Sequence, residues 1–197
     1  MSQLNDNCPL MVANVPRIIA ALYKTMLLAE DRRPQLSQYD LVKTLFLADR
    51  EHLNEWGRPI TYDNYKAMKH GPVPSLAYNL LKGDEKAIRD HKIEKLPWTY
   101  VAAPGGKGKK LFSPLEGQTH VLGVLSESDI EALGDALTSV LSLGFGQIRR
   151  LTHDDPAYIE AWQENGDRGA YDMKLGLLFE EPNFERAELL AEQSLYV

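Results

Sequence analysis

The sequence holds a single cysteine, Cys8, among 197 residues. One thiol excludes an internal disulfide framework and fits a reducing compartment, so a cytoplasmic location is expected. No apolar run approaches the ~18 residues of a membrane span. Residues 1–18 show no basic segment leading into an apolar one, so no secretory leader is expected. Internal repeats and low-complexity tracts are missing, which excludes solenoids and tract-based architectures. Five histidines (52, 70, 91, 120 and 153) fall into no H-x-x-x-H or H-E-x-x-H frame. Local metal-ligand spacing is therefore absent, and no metal or cofactor is expected. No G-x-S-x-G surrounds a serine, so no catalytic nucleophile is assigned. The run Gly105-Gly106-Lys107-Gly108-Lys109 continues into Lys110 and fails the phosphate-loop pattern. Strands do not alternate with helices, so a doubly wound nucleotide-binding sheet is not expected.

What is present describes an ordinary globular chain. Hydrophobic residues make up 44% and charged residues 25%, enough apolar material to offset chain entropy. The net charge of −6 argues against a general nucleic-acid binder. The acidity is concentrated: residues 150–197 hold 4 basic and 11 acidic side chains, while residues 1–149 are near neutral. Residues 82–110 form the basic pole, with 8 basic and 4 acidic groups. They carry few aromatics and no helix-turn-helix pattern, so no sequence-specific nucleic-acid contact is expected.

The pattern predicts a mainly α (α+β) fold, a compact helical domain with a small antiparallel β element. Residues 1–13 read as a loose arm. Asn14 caps a helix 15–31 with Pro16 in its first turn. Ser37 and Asp40 form a capping box for a helix 38–56 that Gly57 stops. Residues 58–68 read as extended, and 70–74 as a plain turn. Ser75 is expected to cap a helix to Lys82, with a short helix 84–91 after it. Residues 98–103 and 109–113 form a hairpin around the glycine loop. Ser126 and Asp129 form a second capping box, its helix ending at Gly144, with a short helix 146–151 beyond. Asp155 caps a helix begun by Pro156 and stopped at Asn165-Gly166. A last helix, 183–195, carries a stripe of Phe184, Ala187, Ala191 and Leu195.

The helix 38–56 holds the oddest feature. At about 100° per residue, Asp49 and His52 fall inside the sector of Leu41, Leu45, Leu53 and Trp56. A carboxylate facing a core is costly unless paired. The expected partners are Arg58, Lys69, His70 and the N–H groups of the 70–74 turn. The structural reading makes Asp49 and His52 a satisfied pair locking that turn to the helix. The chemical reading makes Asp49, His52 and His70 an acid/base set or metal site of a hydrolase. Both readings stand at the level of the residues.

Three motifs occur in order: Lys43-Thr-Leu-Phe-Leu-Ala-Asp-Arg-Glu-His52, Gly57-Arg-Pro-Ile-Thr61, and Tyr65-Lys-Ala-Met-Lys-His-Gly-Pro-Val-Pro-Ser75. Together they resemble the Panacea domain of the SocA-like, phage-associated antitoxin family. Leu125–Leu133, Leu151–Asp155 and Ala161-Trp162 resemble its second half, so the likeness covers about residues 14–165. Residues 166–197 are left as an acidic helical extension, packed on the domain or on the partner. The resemblance implies an antitoxin of a type II toxin–antitoxin system rather than an enzyme. Its partner would be a cognate protein toxin, from an adjacent gene, bound directly. An alternative role is a proteolytic adaptor that delivers the toxin to an ATP-dependent protease. Asp49, His52, Gly57, Pro59, Gly71, Pro72 and Pro74 are expected to build the scaffold. Arg50, which points away from the apolar sector, Arg58, Lys107, Lys109, Lys110, Asp154, Asp155, Glu180, Glu181 and Glu185 are the candidates for partner contact.

Overall fold

The computed structural model describes residues 9–105, 108–164 and 166–197. Residues 1–8 with Cys8, the loop residues Gly106 and Lys107, and Asn165 lie outside the described residues. The elements in chain order are α1 (Val15–Ala29), β1 (Leu36–Ser37), α2 (Gln38–Trp56), β2 (Tyr65–Met68), β3 (Gly71–Pro74), α3 (Ser75–Lys82) and α4 (Glu85–Asp90). There follow β4 (Trp98–Ala102), β5 (Lys110–Pro114), α5 (Glu127–His153), α6 (Pro156–Ala161), β6 (Ala170–Asp172) and α7 (Phe184–Gln193). The architecture is mainly α, with small antiparallel sheets of order β1-β5-β4 and β3-β2-β6.

Helix α2 is the axis of the molecule, and its sequence explains why. Leu41, Val42, Leu45 and Ala48 pack with Ile18, Leu22 and Met26 of α1 and with Leu133 and Leu137 of α5. The other side of α2 presents Phe46 and Leu53 to Tyr62, Tyr65, Tyr158, Leu178 and Leu190. A helix with apolar groups on both sides is buried nearly all round. The one-sided sector read from the sequence is too narrow for this. Lys43 and Thr44 lie outside that sector yet are 1% and 0% exposed, whereas Trp56 lies inside it and is 62% exposed.

Both capping boxes form, Ser37 with Asp40 and Ser126 with Asp129. Asn14 accepts from the Arg17 N–H at the start of α1, a contact of a kind worth about 1 kcal/mol. Gly57 ends α2 at φ 79°, the left-handed conformation that favours glycine, with the Arg186 guanidinium lying over the position a Cβ would take.

Five expectations are corrected. Residues 71–74 are a strand, not a plain turn, with Met68 opposite Gly71 and Tyr65 opposite Pro74. Pro72 and Pro74 are two apart, so their donor-less nitrogens share one side, and β3 turns that side away from β2 as an edge strand. Ser75 does not cap α3; the helix starts at Ser75 itself, and no side chain of the flanking residue caps it. Residues 9–13 are not loose: Met11 N–H donates to Asn64 Oδ1 at 2.9 Å and Val12 N–H to Ser194 Oγ at 2.8 Å. Helix α6 stops at Ala161, short of the Asn165-Gly166 pair. The buried residues of α7 are Ala187 and Leu190, not the stripe that included Phe184 and Leu195. Gly144 interrupts α5 at φ 71°, ψ 175°, and helix resumes after it, as the sequence predicts.

Candidate functional site

The three motifs meet at α2. Asp49, 3% exposed, accepts from the N–H groups of Ile60 (2.8 Å) and Thr61 (3.0 Å), from the Thr61 hydroxyl, and from the Tyr65 hydroxyl (2.8 Å). These partners belong to the segment after Gly57-Arg58-Pro59, not to Lys69, His70 or the 70–74 turn. Burial pushes the Asp49 carboxyl up, and the Thr61 and Tyr65 hydrogen bonds oppose that. Asp63 does the same work one step later. Its carboxylate accepts from the N–H groups of Leu76 (3.0 Å) and Ala77 (2.8 Å), satisfying the start of α3 from a distance. Burial raises it to about 7, against those two backbone donors.

A third buried carboxylate, Asp129, gathers three basic side chains. Arg17 stands 2.6 Å from Oδ2, and Arg58 and His52 stand 3.0 and 3.2 Å from Oδ1. Arg17 also donates to the carbonyls of Ile60 and Val124, both at 2.6 Å, so it ties α1 to the motif loop and to the entry of α5. Burial pushes the Asp129 carboxyl up, but the Ser126 N–H and hydroxyl with Arg17 and Arg58 more than offset it and hold it below the usual carboxylate range. His52 Nδ1 faces the Arg58 carbonyl at 2.8 Å, and a carbonyl only accepts, so Nδ1 carries a proton. His52 Nε2 faces Ser128 Oγ at 3.0 Å.

The third motif is anchored by a lysine. Lys43 Nζ donates to the Pro72 carbonyl at 2.8 Å from a buried position. Burial, then the nearby Arg149, lowers its pKa to about 7. Gly71, at φ +99°, leaves the space: a Cβ there would lie 2.5 Å from Lys43 Nζ and 2.8 Å from Thr152 Oγ1.

The structure thus brings Asp49, His52, Gly57, Pro59, Gly71, Pro72 and Pro74 into the interior around α2, as intermediate or buried residues. It does not assemble Asp49, His52 and His70 into a hydrolase site. Asp49 and His52 are spent on separate partners, and exposed His70 stacks edge-on against Phe145, 6.0 Å between centroids. Among the described residues, no three His, Cys, Asp or Glu side chains are grouped to hold a metal ion. Arg50 is engaged inside the chain, 2.6 Å from Asp155 Oδ2, and Asp155 also caps α6. Arg58 is engaged with Asp129. Lys110 donates to the Lys82 carbonyl at 2.9 Å and sits 4.0 Å from the Tyr100 ring centre. Lys109, Asp154, Glu180, Glu181 and Glu185 are exposed.

Sequence reasoning missed Arg17, Lys43 and Asp63 as interior polar posts and saw in Asp129 only a cap. The signal for Lys43 was its place at the head of the first motif. Arg17 and Asp63 resemble ordinary first-turn and loop residues, and their partners lie far along the chain.

Comparison with curated proteins and with solved structures finds no match. Among the described residues, no helix is long and apolar enough to cross a membrane. A protein-family model, the SocA-like antitoxin Panacea domain, matches residues 41–159, more than half of the chain and all three motifs around α2. The chain belongs to the SocA-like antitoxin, Panacea-domain family.

Proposed function

We propose that this protein is the antitoxin of a type II pair and neutralises a protein toxin by binding it directly. The observation that carries the reading is the family match over residues 41–159. The way the motif residues are used supports it. Asp49, His52, Arg58 and Asp129 spend their polar groups on the backbone and on neighbouring side chains, which makes the shared motifs a rigid frame. Partner choice then rests on the surface. There the exposed carboxylates of Asp154, Glu180, Glu181 and Glu185 form part of the net-negative last quarter. Toxins that act on RNA or nucleotides carry basic surfaces, and an acidic face speeds encounter with such a surface and selects for it. Arg50 and Asp155 act as props behind this surface.

The test is co-expression with the product of the adjacent gene. The expected outcome is that this protein restores growth and co-purifies with that product. Absence of both rescue and co-purification with a folded protein would refute the reading. Charge reversal of Glu180, Glu181 and Glu185 together is expected to weaken the complex more at low than at high salt.

A further inference from the structure

We propose that a groove between the start of α2, the β4–β5 hairpin and the break in α5 receives an acidic segment of the partner protein, with one apolar side chain entering beside Phe145. The groove has a volume of about 920 Å³, and Tyr39, His70, Lys109, Lys110, Leu141 and Phe145 are among its lining.

Its shape follows from one residue. Gly144 leaves the helical region and turns Phe145 out of the α5 stripe. Phe145 remains 55% exposed, held between Tyr39 (4.7 Å between ring centres) and His70 (6.0 Å). A large aromatic ring held by two others yet half open to water is the form of a binding anchor.

Its charge supplies the second observation. Lys109 and Lys110 line one wall and Arg33 another. Behind Tyr39 stand Lys43, 5.5 Å from that ring, and Arg149, close enough to lower the pKa of both Lys43 and His153. The carboxylates near this group are already used. Asp40 is bonded to the N–H and hydroxyl of Ser37 and paired with Arg33 at 3.3 Å, and Glu164 accepts from the Trp162 indole. No carboxylate of the described residues pairs with Lys43, Arg149 or Lys109. Lys109 and Lys110 on the groove wall, with Arg149 behind it, have no carboxylate partner among the described residues, and an anion supplied from outside compensates that charge. In a chain of net charge −6, this concavity is the local opposite pole, so it complements an acidic segment and not a basic one.

The inference rests on the antitoxin reading and names the chemistry of the partner at one contact. The experiment uses the full-length protein and the product of the adjacent gene, with affinity measured by calorimetry at low and high salt. Two variants probe the groove, Lys109→Glu combined with Lys110→Glu, and Phe145→Ser. All three positions altered are partly or fully open to solvent, and circular dichroism melts check that each variant is folded. Both variants are expected to weaken binding by about tenfold or more, the charge variant mainly at low salt and the Phe145 variant at both. If the wild-type protein binds the toxin and both folded variants bind it as tightly, the groove assignment is overturned while the antitoxin reading stands. If the wild type binds no toxin, the antitoxin reading itself fails. Binding of a labelled single-stranded RNA that is lost in the same variants would assign the groove to nucleic acid and overturn the inference. So would a dimer in sedimentation that dissociates on Phe145→Ser.

Discussion

Replacing Asp49 by alanine tests the claim that one carboxylate holds the family motifs together. The substitution removes the acceptor for two backbone N–H groups, Ile60 and Thr61, and for two hydroxyls, Thr61 and Tyr65. The hydroxyls can turn to other acceptors; the Leu45 carbonyl already lies 3.2 Å from the Tyr65 oxygen. The backbone donors cannot turn. At about 1–3 kcal/mol for each stranded buried donor, the loss is about 2–6 kcal/mol. That is a large part of the ~5–15 kcal/mol by which a domain is stable. Asp49→Asn keeps one oxygen for both N–H groups and offers its amide to hydroxyls that can accept. It should cost about 1–2 kcal/mol, well under the alanine loss. Urea unfolding followed by circular dichroism and by the fluorescence of buried Trp98 measures both changes. A loss below about 1 kcal/mol for Asp49→Ala, at unchanged slope, would show that the carboxylate is not the post described here. Equal losses for alanine and asparagine would move the cause from hydrogen bonding to charge.

A double-mutant cycle with Arg17→Met and Asp129→Asn should return a coupling of about 1–3 kcal/mol, because both groups sit in one buried network; additive losses would contradict that. Gly71→Ala should destabilise by more than about 1 kcal/mol, through both the positive φ and the 2.5 Å approach to Lys43 Nζ, and an unchanged melting temperature would count against the packing. Lys43 binds a proton less readily in the folded than in the unfolded chain, so its contribution to stability rises with pH between about 7 and its unfolded value near 10.5. The slope is at most about 1.4 kcal/mol per pH unit, and Lys43→Met should remove this limb of the pH profile. Toxin half-life after translation arrest, with and without this protein, separates sequestration from delivery to an ATP-dependent protease: unchanged turnover means sequestration.

What was legible in the sequence was local. Asn14, Ser37 with Asp40, and Ser126 with Asp129 act within three residues of themselves, so their roles follow from spacing alone. The break at Gly144 and the hairpin of β4 and β5 follow from glycine and strand patterning. The polar interior was not legible, because its pairings cross the chain. Asp63 caps α3 across 13 and 14 residues, and Arg17 reaches Asp129 across 112. The angular sector of α2 misplaced Trp56 and Lys43 because it assumed one buried face where two cores press on the helix from both sides. For the candidate site, the motifs led to the right helix and loop but not to the partners. Asp49 looked like a lock on a turn at 70–74, while it is Lys43 that anchors this stretch, as strand β3.

Strand β6 makes the acidic last quarter inseparable from the motif it flanks. It supplies the outer ladder of β2, with Lys66 opposite Asp172 and Met68 opposite Ala170, and α7 lays Arg186 against Gly57. Cutting the chain at residue 166 would leave β2 with a raw edge ready to pair with another molecule, and would uncover Phe46 and Leu53. A truncated protein that failed to neutralise would therefore report aggregation as readily as a lost contact. The surface side chains of the last quarter can be exchanged without touching this ladder, whereas the backbone that carries them is part of the fold.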